Sequence, residues 1–148
     1  MRTQIAAANW KMNCTLQQAE DLLNKLSAVT DFNTSNKIAV IAVPAPYLLL
    51  AKQKLAHQSN MFVAAQNCYI KNYGAYTGEI SAEMLQSMGI SYVLIGHSER
   101  REYFNENNAM LAEKINIAFN KGIECILKTQ YKHPVVYTAF SIYIRCLY

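Results

Sequence analysis

Short apolar runs rich in β-branched residues alternate along the first 128 residues with longer stretches whose apolar positions recur three and four apart. Five runs read as strands: Gln4 to Ala8, Lys37 to Val43, Met61 to Ala65, Ile90 to Ile95 and Ile123 to Leu127. Each is short and largely apolar, the pattern of a strand covered on both faces. Their starts fall roughly 30 residues apart, the length of a strand plus a crossover helix. Between them Leu16, Ala19, Leu22, Leu23 and Leu26 keep helical spacing, as do Leu48, Ala51 and Leu55, then Met84, Leu85 and Met88, then Met110, Leu111, Ile115 and Phe119. Pro44 and Pro46 break the chain after the second run, and Gly89 and Gly122 precede the fourth and fifth as helix stops. This alternation predicts a parallel α/β sheet. Such a sheet gathers the carboxyl ends of its strands at one edge, which brings together Asn9, Trp10 and Lys11, then Gln66 and Asn67, then Gly96, His97, Ser98 and Glu99.

Composition agrees with a globular chain and removes several function classes. Of 148 residues 52% are hydrophobic and 16% charged, far from a disordered balance. The net charge of +4 is spread singly apart from Arg100 and Arg101, so no basic stripe suits a nucleic acid, and nucleic-acid binding is not expected. Cys14, Cys68, Cys125 and Cys146 form no Cys-x-x-Cys pair, which argues against a zinc ribbon or a redox motif and for reduced, cytoplasmic thiols; no metal is expected. Asn9 and Lys11 fall where a signal peptide needs apolar residues, so secretion is not expected. No stretch reaches the roughly 18 apolar residues of a membrane span, so no membrane partner is expected either.

The last segment, 129–148, is different text. It holds no Asp, Glu or Gly and four of the ten tyrosines, Tyr131, Tyr137, Tyr143 and Tyr148. The chain thus divides into 1–128 and a tail.

Four features carry chemistry. Lys11 ends an apolar strand with a cation beside Asn9; it is either a solvated lysine or a partner for an anionic substrate group. His97 follows Gly96 and opens a helix-start pattern, where a positive helix end disfavours the imidazolium; it either anchors the turn or polarises a carbonyl as a neutral donor. Glu99 either pairs with Lys11 or serves as a helix-start acid. His57 and His133 read as surface or loop residues. The segment from Tyr69 to Ser81, with two glycines and three tyrosines, reads as a long loop, either self-packed or an interface.

Three ordered motifs, Ala-Ala-Asn-Trp-Lys-Met-Asn at 7–13, Gly-Ala-Tyr-Thr-Gly-Glu-Ile-Ser at 74–81 and Ile-Gly-His-Ser-Glu-Arg-Arg at 95–101, resemble the triosephosphate isomerase family from about Ile5 to about Leu127. The resemblance implies an α/β fold of the (β/α)8 barrel class, a homodimer, no cofactor, and interconversion of dihydroxyacetone phosphate and glyceraldehyde 3-phosphate in glycolysis and gluconeogenesis. It implies that Asn9 and Lys11 bind substrate, that His97 acts with Lys11 in catalysis, and that Glu99 pairs with the lysine. It also implies that Thr77 enters the partner subunit, with Tyr76, Gly78, Glu79 and Gln66 in the same contact set.

A complete barrel of this class takes about 250 residues. The pattern here predicts the first four βα units plus a fifth strand, and the tail matches none of the remainder. The change of composition reads as a shifted or truncated reading frame, which the coding DNA would show. No Glu after position 101 has the context of the family's proton-abstracting base; Glu102, Glu106, Glu113 and Glu124 are the candidates. The expectations that follow are an inactive or nearly inactive chain, two unpaired sheet edges and an open interior, although the β-branched, tyrosine-rich run of the tail could cover an edge by accident. The alternative is a noncatalytic half-barrel that binds a phosphosugar or dimerises.

Overall fold

The computed structural model describes residues 3–29, 36–128, 135–137 and 142–145. Five parallel strands, β1 (Gln4–Asn9), β2 (Lys37–Val43), β3 (Met61–Ala65), β4 (Tyr92–Ile95) and β5 (Glu124–Leu127), pair in chain order. Five helices accompany them: α1 (Leu16–Ser27), α2 (Leu48–Lys54) after a one-turn 3-10 segment, α3 (Ala82–Ser87), α4 (Ser98–Tyr103) and α5 (Asn108–Asn120). This is the parallel α/β sheet that the alternation predicts, curled into the half of a (β/α)8 barrel that the resemblance implies.

Helix ends follow local chemistry. Thr15 caps α1 through a capping box, its hydroxyl accepting from the Gln18 N–H while Gln18 Oε1 accepts from the Thr15 N–H. Asn107 caps α5 by accepting from the Met110 N–H at 3.0 Å. At Gly122 the chain stops α5 with Ile123 N–H bonded back to Ala118 O and Gly122 N–H to Phe119 O.

Strand periodicity splits the core in two. Ile41, Val43, Val63, Val93, Ile95 and Cys125 face outward and pack under the helices with Leu23, Leu48, Leu85 and Leu111. Ile5, Val40, Ala42, Ala64, Leu94 and Ile126 face inward and fill the barrel. On α1 only Ala19 and Leu23 are buried, with Leu26 at the margin; Leu16 and Leu22 of the same apolar pattern are exposed, because the helix offers the sheet a single narrow edge.

The expectation of two open edges is corrected by the tail. β6 (Val135–Tyr137) runs antiparallel beside β5, and β7 (Ile142–Arg145) pairs antiparallel with β6 and parallel with β1. The sheet is therefore a closed seven-stranded barrel. Closure follows from backbone pairing: the free hydrogen-bonding groups of β1 and β5 accept any extended segment of sufficient length, whatever its relation to the preceding text. His133 and Cys146 lie outside the described residues, while Cys14, Cys68 and Cys125 are free thiols. Burial pushes Cys68 up to about 11 and Cys125 up to about 12, so neither is a thiolate near neutrality.

At the amino end of the barrel, Tyr92 and Glu124 lie opposite each other on β4 and β5. Burial and then the nearby Glu124 charge push Tyr92 up to about 12. Burial raises Glu124 above its usual 4.5, partly offset by the hydrogen bond with Tyr92, and Glu124 Oε2 has no hydrogen-bond partner in the structure. A carboxyl with a raised folded pKa loses stability as pH climbs from about 4.5 toward the folded value, because the unfolded chain ionises first. Glu124→Gln is therefore expected to melt above the parent at pH 7 and to lose that advantage at pH 4. Equal differences in Tm at the two pH values would contradict the assignment.

Candidate active site

The carboxyl ends of the parallel strands form one rim, and an open groove of about 440 Å³ crosses it. Asn9, Lys11, Gln66, His97 and Glu99, which arrive from three different strand ends, all line this groove, and Gly78 and Glu79 reach it from the long loop.

A continuous polar network ties the rim together. Asn9 Oδ1 accepts from the Lys11 N–H at 2.9 Å and from Gln66 Nε2 at 3.0 Å, and the same Gln66 nitrogen lies 2.8 Å from Lys11 O. These bonds hold Lys11 at φ 55°, a left-handed conformation that costs a residue with a Cβ about 1–2 kcal/mol. Strain of this kind persists where surrounding bonds over-determine it, and it concentrates at functional sites. The Lys11 ammonium then lies 2.7 Å from Glu99 Oε1. Both side chains are about half exposed, so the pair adds at most about 1 kcal/mol of stability; its effect is to aim the ammonium. Glu99 also stands in the first turn of α4, so both readings of this residue hold together. The Lys11 hydrogen bond, more than any other influence, keeps the Glu99 carboxyl below its usual range.

His97 is buried at the start of α4, directly after Gly96. Gly96 takes φ +75°, and a Cβ there would meet Leu111 and Leu127 side chains at 3.1 Å and Lys128 O at 3.2 Å, so only glycine brings the chain this close before the histidine. His97 Nδ1 accepts from the Glu99 N–H at 3.3 Å and lies 3.4 Å from Glu99 Oε2. The nitrogen cannot accept from the amide and donate to the carboxylate at once. Burial first, then the Lys128 charge, lower the imidazole's pKa against the opposing pull of Glu99, so the neutral ring is the native form and Nδ1 is the acceptor. The proton then sits on Nε2. His97 thus anchors the turn with one nitrogen and keeps a donor on the other. Desolvation, rather than the helix end alone, supplies the leading cause.

Beneath the groove lies a buried ionic cluster that the sequence pattern did not reveal. Glu106 Oε1 receives Lys114 Nζ at 2.6 Å and Arg100 Nε at 2.5 Å, and Lys114 Nζ donates to Asn67 Oδ1 at 2.8 Å. The Glu106 and Lys114 side chains are each only 2% exposed. Leu111, Lys114 and Ala118 occupy one face of α5, and this spacing was the available signal.

Thr77 and Tyr76 stand exposed on the long loop, with the Tyr76 ring 4.7 Å from that of Tyr69. His57 is exposed, as expected, and bonds Ser27 O at 3.0 Å. Among the described residues no group of His, Cys, Asp and Glu forms a metal cluster, and no helix is long and apolar enough to cross a membrane.

The triosephosphate isomerase family model matches residues 4–130. The chain is 42% identical over 123 residues to the triosephosphate isomerase of Cytophaga hutchinsonii, an overlap of 83% of this chain and 49% of that protein. It is 43% identical over 127 residues to that of Clostridium beijerinckii, with 86% and 50% covered, and 44% identical over 124 residues to that of Porphyromonas gingivalis, with 83% and 49% covered. The chain spans about half the length of the curated relatives it matches. Because the similarity runs through all five parallel strands and the rim segments between them, the chain belongs to the triosephosphate isomerase family.

Proposed function

We propose that the rim groove binds a phosphorylated triose and serves the family's interconversion of dihydroxyacetone phosphate and glyceraldehyde 3-phosphate, a cytoplasmic step of glycolysis and gluconeogenesis. The network running from Gln66 through Asn9 and Lys11 to Glu99 and His97 carries this reading. Asn9 has its oxygen occupied by the Lys11 and Gln66 nitrogens, which leaves its NH2 as the donor end toward the ligand. The Lys11 ammonium attracts the anionic substrate, and the neutral His97 donates from Nε2 to the carbonyl oxygen, stabilising the enediolate that forms when the neighbouring carbon loses its proton.

The proton-abstracting base has no assigned residue. Among the described residues the carboxylates lining the groove are Glu79 and Glu99, and Glu99 is held by Lys11. A positioned base contributes about 10² to 10⁴ in rate. This favours the second reading for the chain by itself, a noncatalytic phosphosugar-binding module. In an assay coupled to consumption of glyceraldehyde 3-phosphate, turnover near the buffer rate is expected alongside measurable binding of dihydroxyacetone phosphate. Turnover well above buffer that disappears in His97→Gln would establish a base within the chain. Failure to bind either triose phosphate would remove the functional reading.

The same proposal includes a homodimer built through the long loop. Tyr73 is 75% and Met12 97% exposed, and Thr77, Gly78 and Glu79 of the long loop are exposed as well. Exposed aromatic and Met side chains are enriched at contacts between chains. Size-exclusion chromatography is expected to give about twice 16.8 kDa; a clean monomer would cancel the contact role of Thr77, Tyr76, Gly78, Glu79 and Gln66.

A further inference from the structure

Parity along β5 places one more side chain at the barrel mouth. Cys125 faces outward and Ile126 inward, and Lys128, two residues further on, continues the inward face. Its backbone is fixed in register, the Lys128 N–H donating to Ile95 O at 2.9 Å just before Gly96 and His97. Below the groove a cavity of about 50 Å³ has an apolar floor of Val40, Ala42, Leu94 and Ile126, and its polar rim is formed by Asn9, His97 and Lys128. Lys128 thus shares a cavity with two residues assigned to the ligand.

Electrostatics agree with that placement. The Lys128 charge helps to lower the pKa of His97 and, least of the causes, that of Glu99. Lys11 is bound to Glu99, and the two charges largely offset each other. A phosphate monoester carries about −1.5 to −2 charges near neutrality. The Lys11 and Glu99 pair alone supplies little net positive charge to meet it.

We propose that Lys128, from the cavity that adjoins this groove at Asn9 and His97, is a second ligand-binding cation, meeting an anionic oxygen of the bound triose phosphate from the β5 side while Lys11 meets the ligand from the β1 side. This rests on the reading of the groove as a triose-phosphate site. Lys128 also acts without ligand, since its charge adds to burial, the larger cause, in favouring the neutral His97.

Calorimetric titration of the full chain with dihydroxyacetone phosphate, run for the parent, Lys128→Met, Lys128→Gln and Lys128→Arg, tests the binding role. The Met and Gln variants are expected to bind roughly 10-fold more weakly, the lower end of what one charge-assisted contact is worth, and Arg is expected to restore most of the loss. Nuclear magnetic resonance titration of His97 in the free protein gives a second readout: the imidazole pKa should rise in Lys128→Met and Lys128→Gln and stay near the parent in Lys128→Arg. Parent binding that persists within twofold in both neutral variants would overturn the role of Lys128 and leave the groove reading standing. An unchanged His97 titration would overturn it as well. Absence of binding by the parent would bring down the groove reading, and the Lys128 role with it.

Discussion

Lys11→Met is expected to weaken binding of dihydroxyacetone phosphate by roughly 10- to 150-fold, the range corresponding to loss of a charge-assisted contact worth about 1.5–3 kcal/mol. The variant should fold normally, because the Lys11 side chain is 52% exposed and its ion pair with Glu99 is a weak contributor to stability. The backbone bonds that hold residue 11, from its N–H to Asn9 and from Gln66 to its carbonyl, do not involve the ammonium and survive the change. Loss of the ammonium also frees Glu99, whose pKa should return toward 4.5 because the Lys11 hydrogen bond is the largest influence lowering it. Calorimetry for the ligand and a carboxyl titration for Glu99 check the two halves. Unaltered affinity would remove Lys11 from the binding site, whatever its ion pair does.

Glu106→Leu is expected to be the most destabilising single change in the folded core. Removing one member of a buried ion pair leaves an uncompensated charge and costs about 3–5 kcal/mol. For a chain of this size that corresponds to a fall in Tm of roughly 6–20 °C. The burden falls on Lys114, buried to the same degree and left with Asn67 alone, while Arg100 is 26% exposed and can turn to solvent. The double variant Glu106→Leu with Lys114→Met should recover most of the loss, since both charges then leave together. Acidification separates the two further. Burial by itself would raise Glu106, but hydrogen bonds from Lys114 and Arg100 outweigh it and hold the carboxyl below 4.5. Its contribution is therefore present above about 4.5 and lost as pH falls through the folded value, so the parent should lose more stability on acidification than the double variant. Urea unfolding at pH 7 and pH 4 measures both effects, and a parent and double variant with parallel pH profiles would contradict this account of the cluster.

Strands were legible because each is a short, largely apolar run that suits a sheet covered on both faces. The rim residues were legible because a parallel sheet puts every strand's carboxyl end on one side, which made Asn9, Lys11, Gln66 and His97 neighbours before any contact was known. Lys114 was not legible, since lysine is seldom buried and its place between Leu111 and Ala118 looks like one polar interruption of an apolar face. Lys128 is hidden in the sequence for a similar reason: one residue past a strand, it reads as solvated unless the inward parity of Ile126 is carried two residues on. The closing hairpin was legible only as a run able to cover an edge. β6 and β7 have three and four residues and pair antiparallel, so nothing in the strand-helix rhythm announces them.

That hairpin also sets the order of events in folding. Ile5 pairs with Ile144, so the first strand made is completed by the last, across a sequence separation of 139 residues, whereas each βα unit forms from neighbours. Contacts of that separation are entropically slow to form and reward the chain only once everything between them is in place. During synthesis β1 therefore emerges early and waits, with one edge unpaired, until β7 has left the ribosome. Closure of the barrel is the final step, and the interval before it is when this chain is most exposed to pairing with its neighbours.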